Sequence, residues 1–238
     1  MRRFYAPTQN FEKVAAFLDE NETRHLRDVL RLREGAEISV FDGEGREFLC
    51  EVLKIGKKRS DLQVISETLP PAPESPLDLT LAPALIKGEK FDMVVQKAVE
   101  LSVERLTPLI THRCDVKLKD RSNKTERWRR IALEAAKQSG RARLTQIDEP
   151  VEFSSLLKSD IRGMIMFSER GGGNFENVPT KKEITAITGP EGGWEDSEIE
   201  AARDAGAAII TLGGRILRAE TAAVAITAIL QHRFGDLG

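Results

Sequence analysis

Two short stretches of the chain carry residue types suited to a charged ligand. "TGPEGGW" (Thr188 to Trp194) and "LGGRILR" (Leu212 to Arg218) each combine a glycine pair with charged side chains: Glu191 in the first, Arg215 and Arg218 in the second. Glycine lets backbone approach a ligand closely and reach positive φ, where a β-branched residue would clash. An arginine keeps its charge at any working pH and presents a planar fork of donors, so it suits a position where negative charge develops on adjacent oxygens. One Gly-Gly pair alone reads as a tight turn. Two of them, expected at neighbouring strand ends after "EITAI" and "AAIIT", point to a ligand pocket. Neither has the GxGxxG spacing of a dinucleotide loop or the GxxxxGK[ST] of a phosphate loop.

The other chemistry-bearing residues do not cluster. His25, His112 and His232 are scattered, and Cys50 and Cys114 lie far apart without a CxxC spacing. This pattern argues against a zinc site and a disulfide framework, and no metal is expected. Hydrophobic residues make up 40% of the 238 and charged residues 31%, which excludes a disordered chain. No apolar run approaches the ~20 residues of a membrane helix. "MRRFYAPTQNFEK" has no apolar stretch behind its arginines, so no secretion signal is expected and a cytoplasmic location follows.

A net charge of -2 conceals an uneven distribution. Residues 105 to 143 hold 12 Lys and Arg against 4 Asp and Glu. Such a block is either a solvated helix face or a phosphate-contacting surface.

The elements that must position these residues fall into two groups. Residues 1 to 69 read as a small barrel-like β module: "AEISVFD" alternates, "DGEG" is a turn, and "REFLCEVLKI" and "DLQVISETL" continue the pattern. A helix from near Thr23 is expected to close at Gly35. "PPAPESP" (Pro70 to Pro76) suits neither a helix nor a central strand and marks a linker. From residue 77 to 238 strands alternate with helices: "LDLTLAPALI", "EKFDMVVQKAVELSV", "RLTPLIT", a long helix closed by Gly140, "GMIMFS", "EITAITG", "EDSEIEAARDAG", "AAIITLG" and an alanine-rich final helix. This alternation implies an α/β domain with a mostly parallel sheet, whose ligands bind beyond the carboxyl ends of the strands. The final helix could pack in its own core or against another subunit.

"ITGPEGGW" followed by "LGGRILRAETAA" resembles the C-terminal signature of the SPOUT (trefoil-knot) methyltransferases. Within that superfamily the chain is most similar to the RsmE type, which methylates N3 of a uridine in small-subunit (16S) ribosomal RNA. "RRFY", "HLRDVLRLREGAEISVFDGEG", "QKAVELSVERLTPLIT" and "EAAKQSGRARL" extend the likeness over nearly the whole chain, in the same order. The chain departs from the pattern at Ser102, where glycine is more usual, and at Gly214, where proline is; Thr188 precedes an intact Gly-Pro-Glu-Gly-Gly.

The resemblance implies a C-terminal knotted parallel-sheet methyltransferase domain behind an N-terminal PUA-like RNA-binding β-barrel. It implies S-adenosylmethionine bent among the loops after "MIMF", "EITAIT" and "AAIITL". The contacting residues would be Phe167, Thr188, Gly189, Pro190, Glu191, Gly192, Gly193, Leu212, Gly213, Gly214, Ile216 and Leu217. It also implies a homodimer with the alanine-rich helix near its interface. Loss of the uracil N3 proton spreads charge onto the flanking carbonyl oxygens, and Arg218, ahead of Arg215, is placed to stabilise it. The alternative for either arginine is a structural pair with Glu220 or Glu191. Ribosomal RNA or the small ribosomal subunit is the implied partner, with Arg2, Arg3, His25, Arg31, Arg127, Arg130 and Arg141 as candidate contacts. A non-catalytic RNA-binding assembly factor would explain the basic block without a cofactor pocket. A nucleotide-using metabolic enzyme would explain the loops without the block.

Overall fold

A computed structural model of the chain describes residues 2–116, 121–159, 163–178 and 182–238. Lys117, Lys119 and Asp120 of the basic block lie outside the described residues. The chain divides into two compact units, Met1–Glu74 with Ala136–Leu144, and Ser75–Ala135 with Thr145–Gly238.

The first unit holds β1 (Arg3–Tyr5), β2 (Phe11–Glu12), β3 (Ala15–Leu18), α1 (Glu20–Arg24), β4 (Glu37–Phe41), β5 (Glu47–Ile55) and β6 (Ser60–Thr68). Its strands form one sheet in the order β1-β4-β5-β6-β3-β2, antiparallel except for the β1–β4 pair. Inward residues Phe4, Leu18, Ile38, Val40, Cys50, Val52 and Leu62 make the core with Leu26. Burial pushes the Cys50 thiol up to about 12, which leaves it an inert core residue. The "DGEG" turn joins β4 to β5 as expected, with Gly43 and Gly45 at positive φ and Asp42 Oδ1 accepting from the Glu44 and Arg46 amides.

The helix differs from the sequence expectation at both ends. Asp19 caps it, its carboxylate accepting from the Glu22 amide at 2.9 Å, so it starts earlier. It then widens by one residue, with Leu30 N–H bonded to the His25 carbonyl, and Arg31 at φ 52 ends it. Leu32 packs on the core, which requires the chain to turn back there. Gly35, at φ 84, belongs to the next turn.

Residues 136–144 belong to the first unit although the sequence reading puts one boundary at the prolines. Gly45 N–H bonds to the Ala142 carbonyl, Leu144 N–H to the Gly43 carbonyl, and Ala72 N–H to the Gly140 carbonyl. Such long-range backbone bonds leave no local signature.

The second unit contains β7 (Asp78–Pro83), α2 (Glu89–Glu100), β8 (Arg105–Leu106), β9 (Leu109–Ile110), most of α3 (Arg121–Ser139), β10 (Gln146–Ile147), β11 (Val151–Glu152), α4 (Phe153–Leu157), β12 (Met164–Phe167), β13 (Glu183–Thr188), α5 (Asp196–Asp204), β14 (Ala208–Ile210) and α6 (Ala219–Phe234). Six strands form a parallel sheet in the order β10-β8-β7-β13-β12-β14. Every residue of β12, and all of β13 after Glu183, is buried, so β12 reads as a continuous apolar run and β13 as one broken only by threonines. β13 and β14, expected as neighbours from their glycine pairs, are not: β12 lies between them, so the three strand ends that the resemblance implied lie side by side. Ser102 adopts φ 57, a conformation glycine takes without strain. On α6, Ala223 is 1% exposed and packs within its own subunit, so it is not a residue that could face a partner.

Candidate active site

The loops after β12, β13 and β14 enclose a cavity of about 550 Å³. Ligands of parallel α/β sheets bind at such carboxyl ends. Phe167, Ser168 and Glu169 line it from β12, Thr188 to Trp194 from β13, and Leu212, Arg215, Ile216, Leu217 and Arg218 from β14; Lys90, Ala219, Glu220, Ala222 and Ile226 close it from the helices. All the sequence-expected cofactor contacts except two are therefore among the lining residues. Gly213 and Gly214 are not, and an added Cβ at either would meet nothing within 4 Å.

The loop after β13 is built around Trp194. Its ring is 1% exposed, and Nε1 donates to the Phe167 carbonyl at 2.9 Å, tying this loop to the end of β12. Gly189 must be glycine for that reason: a Cβ there would stand 2.8 Å from Trp194 Nε1. Pro190 accepts from the Gly193 amide across a tight turn, with Gly193 at φ 69. Arg113 donates to the Gly192 carbonyl at 3.1 Å.

Lys90, in the first turn of α2, was not singled out by any motif. Its Nζ donates to Glu191 Oε1 at 2.9 Å and stands 3.8 Å from Glu220 Oε1. The two carboxylates that could have braced Arg215 or Arg218 thus face a lysine from elsewhere in the chain. Both arginines are exposed and, among the described residues, make no side-chain hydrogen bond or ion pair. The cavity therefore carries two uncommitted guanidiniums on an exposed loop. Glu220 lies in the first turn of α6 and is 7% exposed, and its Oε2 is buried with no hydrogen-bond partner among the described residues.

The basic block is largely spent on internal pairs. Arg105 bonds to Asp148 at 2.8 Å, Arg127 to Asp92 at 2.5 Å, Arg129 to Glu126 at 2.6 Å and Lys137 to Glu22. Arg141 is 1% exposed and bonds to Glu74 at 2.7 Å, while Arg3 bonds to Glu47 at 2.8 Å and to backbone carbonyls of Ala136 and Arg141. These two arginines hold the first unit together. Arg2, Arg31 and Arg130 are exposed, and His25 sits half-buried edge-on to Phe4. Among the described residues no group of His, Cys, Asp and Glu could hold a metal, and no helix is long and apolar enough to cross a membrane. Both cysteines are free.

Residues 73–231 match the family described as RNA methyltransferase domain, and residues 18–65 the one described as RNA methyltransferase PUA domain. The chain is 34% identical over 229 residues to a ribosomal RNA small subunit methyltransferase E of Synechocystis, covering 93% of this chain and 74% of that protein. It is 30% identical to the protein of that name from Bacillus subtilis, covering 93% of each. The crystal structure of a ribosomal RNA small subunit methyltransferase E from Neisseria gonorrhoeae, bound to S-adenosyl methionine, superposes with a TM-score of 0.92 at 32% identity and covers 100% of both chains. With a parallel sheet whose converging loops enclose a cavity, and with likeness running the length of the chain, this protein belongs to the RNA methyltransferase family.

Proposed function

We propose that the protein transfers the methyl group of S-adenosylmethionine to N3 of a uridine in small-subunit ribosomal RNA. The observation that carries this reading is the cavity itself, which joins a cofactor-sized space to two arginines that have no side-chain partner among the described residues. Its volume is in the range of small-molecule sites. Phe167, Leu212, Ile216, Leu217 and Ile226 offer the apolar surface a purine requires, Gly189 and Gly193 give close backbone approach, and Glu169 and Glu191 offer acceptors for a cationic ligand. These residues fit the cofactor and would hold it. When bound, it supplies a methyl group on a sulfonium, which a nucleophile attacks in line. The chain's own task is then to hold the acceptor base in place and stabilise its developing charge. Arg218, the residue preceding α6, serves the uracil oxygens in this reading, with Arg215 beside it.

Residues 1–69, with residues 136–144 packed in the same unit, serve as the RNA-binding domain, and the rest of 77–238 as the catalytic one. Arg2, Arg31, His25 and Arg130 are the RNA contacts this reading keeps, with Arg127 available only by leaving Asp92. The protein works in the cytoplasm as a homodimer, through the partly exposed stripe Thr221, Ala225, Ala228 and Ile229 of α6. Ala228→Arg should then shift sedimentation toward monomer.

The reading is tested by incubating the protein with S-adenosylmethionine carrying a deuterated methyl group and with ribosomal RNA from cells lacking the activity, as free RNA and as assembled small subunits. Mass spectrometry of the digested RNA should show labelled N3-methyluridine. Cofactor binding with no label in either RNA would replace the enzyme with a binding factor.

A further inference from the structure

Removing the N3 proton of uracil requires an acceptor, and the cavity offers few. Among the described residues, no His, Cys, Tyr or Asp lines it. Lys90 is already engaged with Glu191, and as an ammonium it has no lone pair to offer. The carboxylates among the described lining residues are three. Glu169 is held by Arg170, and Glu191 accepts from Lys90 at 2.9 Å. Glu220 is different: Oε1 is 3.8 Å from Lys90, too far for a hydrogen bond, and Oε2 is buried with no hydrogen-bond partner among the described residues. A buried acceptor left unpaired is costly, and native structures rarely keep one without a reason.

Glu220 is also well placed. It is two residues from Arg218, in the first turn of a 16-residue helix. The terminal torsion of a glutamate is soft, so rotation can bring the unpaired oxygen to the cavity side. Charged groups lining the same cavity are Lys90 from α2, Glu169 and Glu191 from the loops after β12 and β13, and Arg215 and Arg218 from the loop before α6.

We propose that Glu220 is the group that accepts the proton from uracil N3. The N3–H bond breaks, its electron pair stays on the ring and spreads to the flanking oxygens facing Arg218, and the proton forms a new O–H bond on Glu220. The freed N3 lone pair is then the nucleophile, and the proton passes from Glu220 to bulk water. This assignment rests on the uridine-N3 reading above.

The test is Glu220→Gln, which keeps the shape and removes the base. Isothermal titration should give S-adenosylmethionine affinity within a few-fold of wild type, while single-turnover methylation slows by about 10²–10⁴. RNA carrying 5-fluorouridine at the target has a more acidic N3–H, because fluorine withdraws electrons. It should narrow the gap between wild type and Glu220→Gln by about tenfold or more, since a weaker base then suffices. A purely structural role would leave the gap unchanged. Should Glu220→Gln fail to fold, Glu220→Asp takes its place: it keeps a carboxylate of shorter reach, so it should retain measurable turnover and show the same narrowing. Normal turnover by Glu220→Gln, a defect lying wholly in cofactor affinity, or an equal gap on both RNAs overturns the assignment while the wild type still makes N3-methyluridine. A wild type that makes none on either RNA overturns the underlying reading instead.

Discussion

The two glycine-rich loops of the cavity look alike in sequence and are held in opposite ways. The loop from Thr188 to Trp194 is fastened from several directions: Trp194 to Phe167, Glu191 to Lys90, and Gly192 to Arg113. The loop from Leu212 to Arg218 has no side-chain hydrogen bond or ion pair among the described residues; positions 213 to 218 are exposed, and Ile216 is 88% exposed. One loop is part of the scaffold, and the other presents side chains to solvent, where they are free to meet a ligand. Glycine therefore serves two purposes here. In the first loop it makes room for a tryptophan, and in the second it allows a turn in open space.

Removing the fastening should have the largest effect. Trp194→Ala deletes a buried ring packed on Phe153 and leaves the Phe167 carbonyl without its donor, so it should cost about 3–5 kcal/mol of stability. Denaturant unfolding measures this directly. A loss below about 1 kcal/mol would mean the first loop is not fastened as described, and the contrast would fail.

The exposed loop should respond in function and not in stability. Arg218→Ala is expected to lower single-turnover methylation by about 10²–10³ with cofactor affinity and melting temperature unchanged, because the charge it stabilises appears mainly in the transition state. Arg218→Lys should recover little, since an ammonium lacks the planar fork. Normal turnover by Arg218→Ala would move the role to Arg215.

The same contrast explains what the sequence could and could not reveal. Strand β12 was legible as an unbroken apolar run and β7 and β13 as mostly apolar ones, and the two loops were legible because glycine pairs follow β13 and β14. Lys90 was not, since it is 101 positions from Glu191 and their pairing depends on the fold alone. Arg141 reads as one more cation of a basic block, yet the carboxylate that claims it is 67 positions away. The helix end at Arg31 was missed because Gly35 carries the stronger local stop signal, while the packing of Leu32 decides the matter. Ser102 shows the reverse case. A departure noticed in sequence falls at a backbone position, φ 57, that explains why glycine is the more usual residue there.

Within the exposed loop, adjacent glycines should answer differently to the same substitution. Gly213 sits at φ 60 with open space around it, so alanine there meets no atom but must hold a left-handed conformation, which costs about 1–3 kcal/mol. Gly214 lies outside that region and is equally open. Alanine at Gly214 should therefore be tolerated and, by narrowing the unfolded ensemble, should stabilise by about 0.4–1 kcal/mol. Part of that gain should appear as tighter S-adenosylmethionine binding, because neighbouring Arg215 and Ile216 line the cavity and a stiffer loop loses less freedom when the ligand orders it. Thermal melts and isothermal titrations of Gly213→Ala and Gly214→Ala make the comparison. Opposite signs for the two variants are expected; equal losses would show that space, and not backbone conformation, governs this loop, and would bring it closer to the first one than the geometry implies.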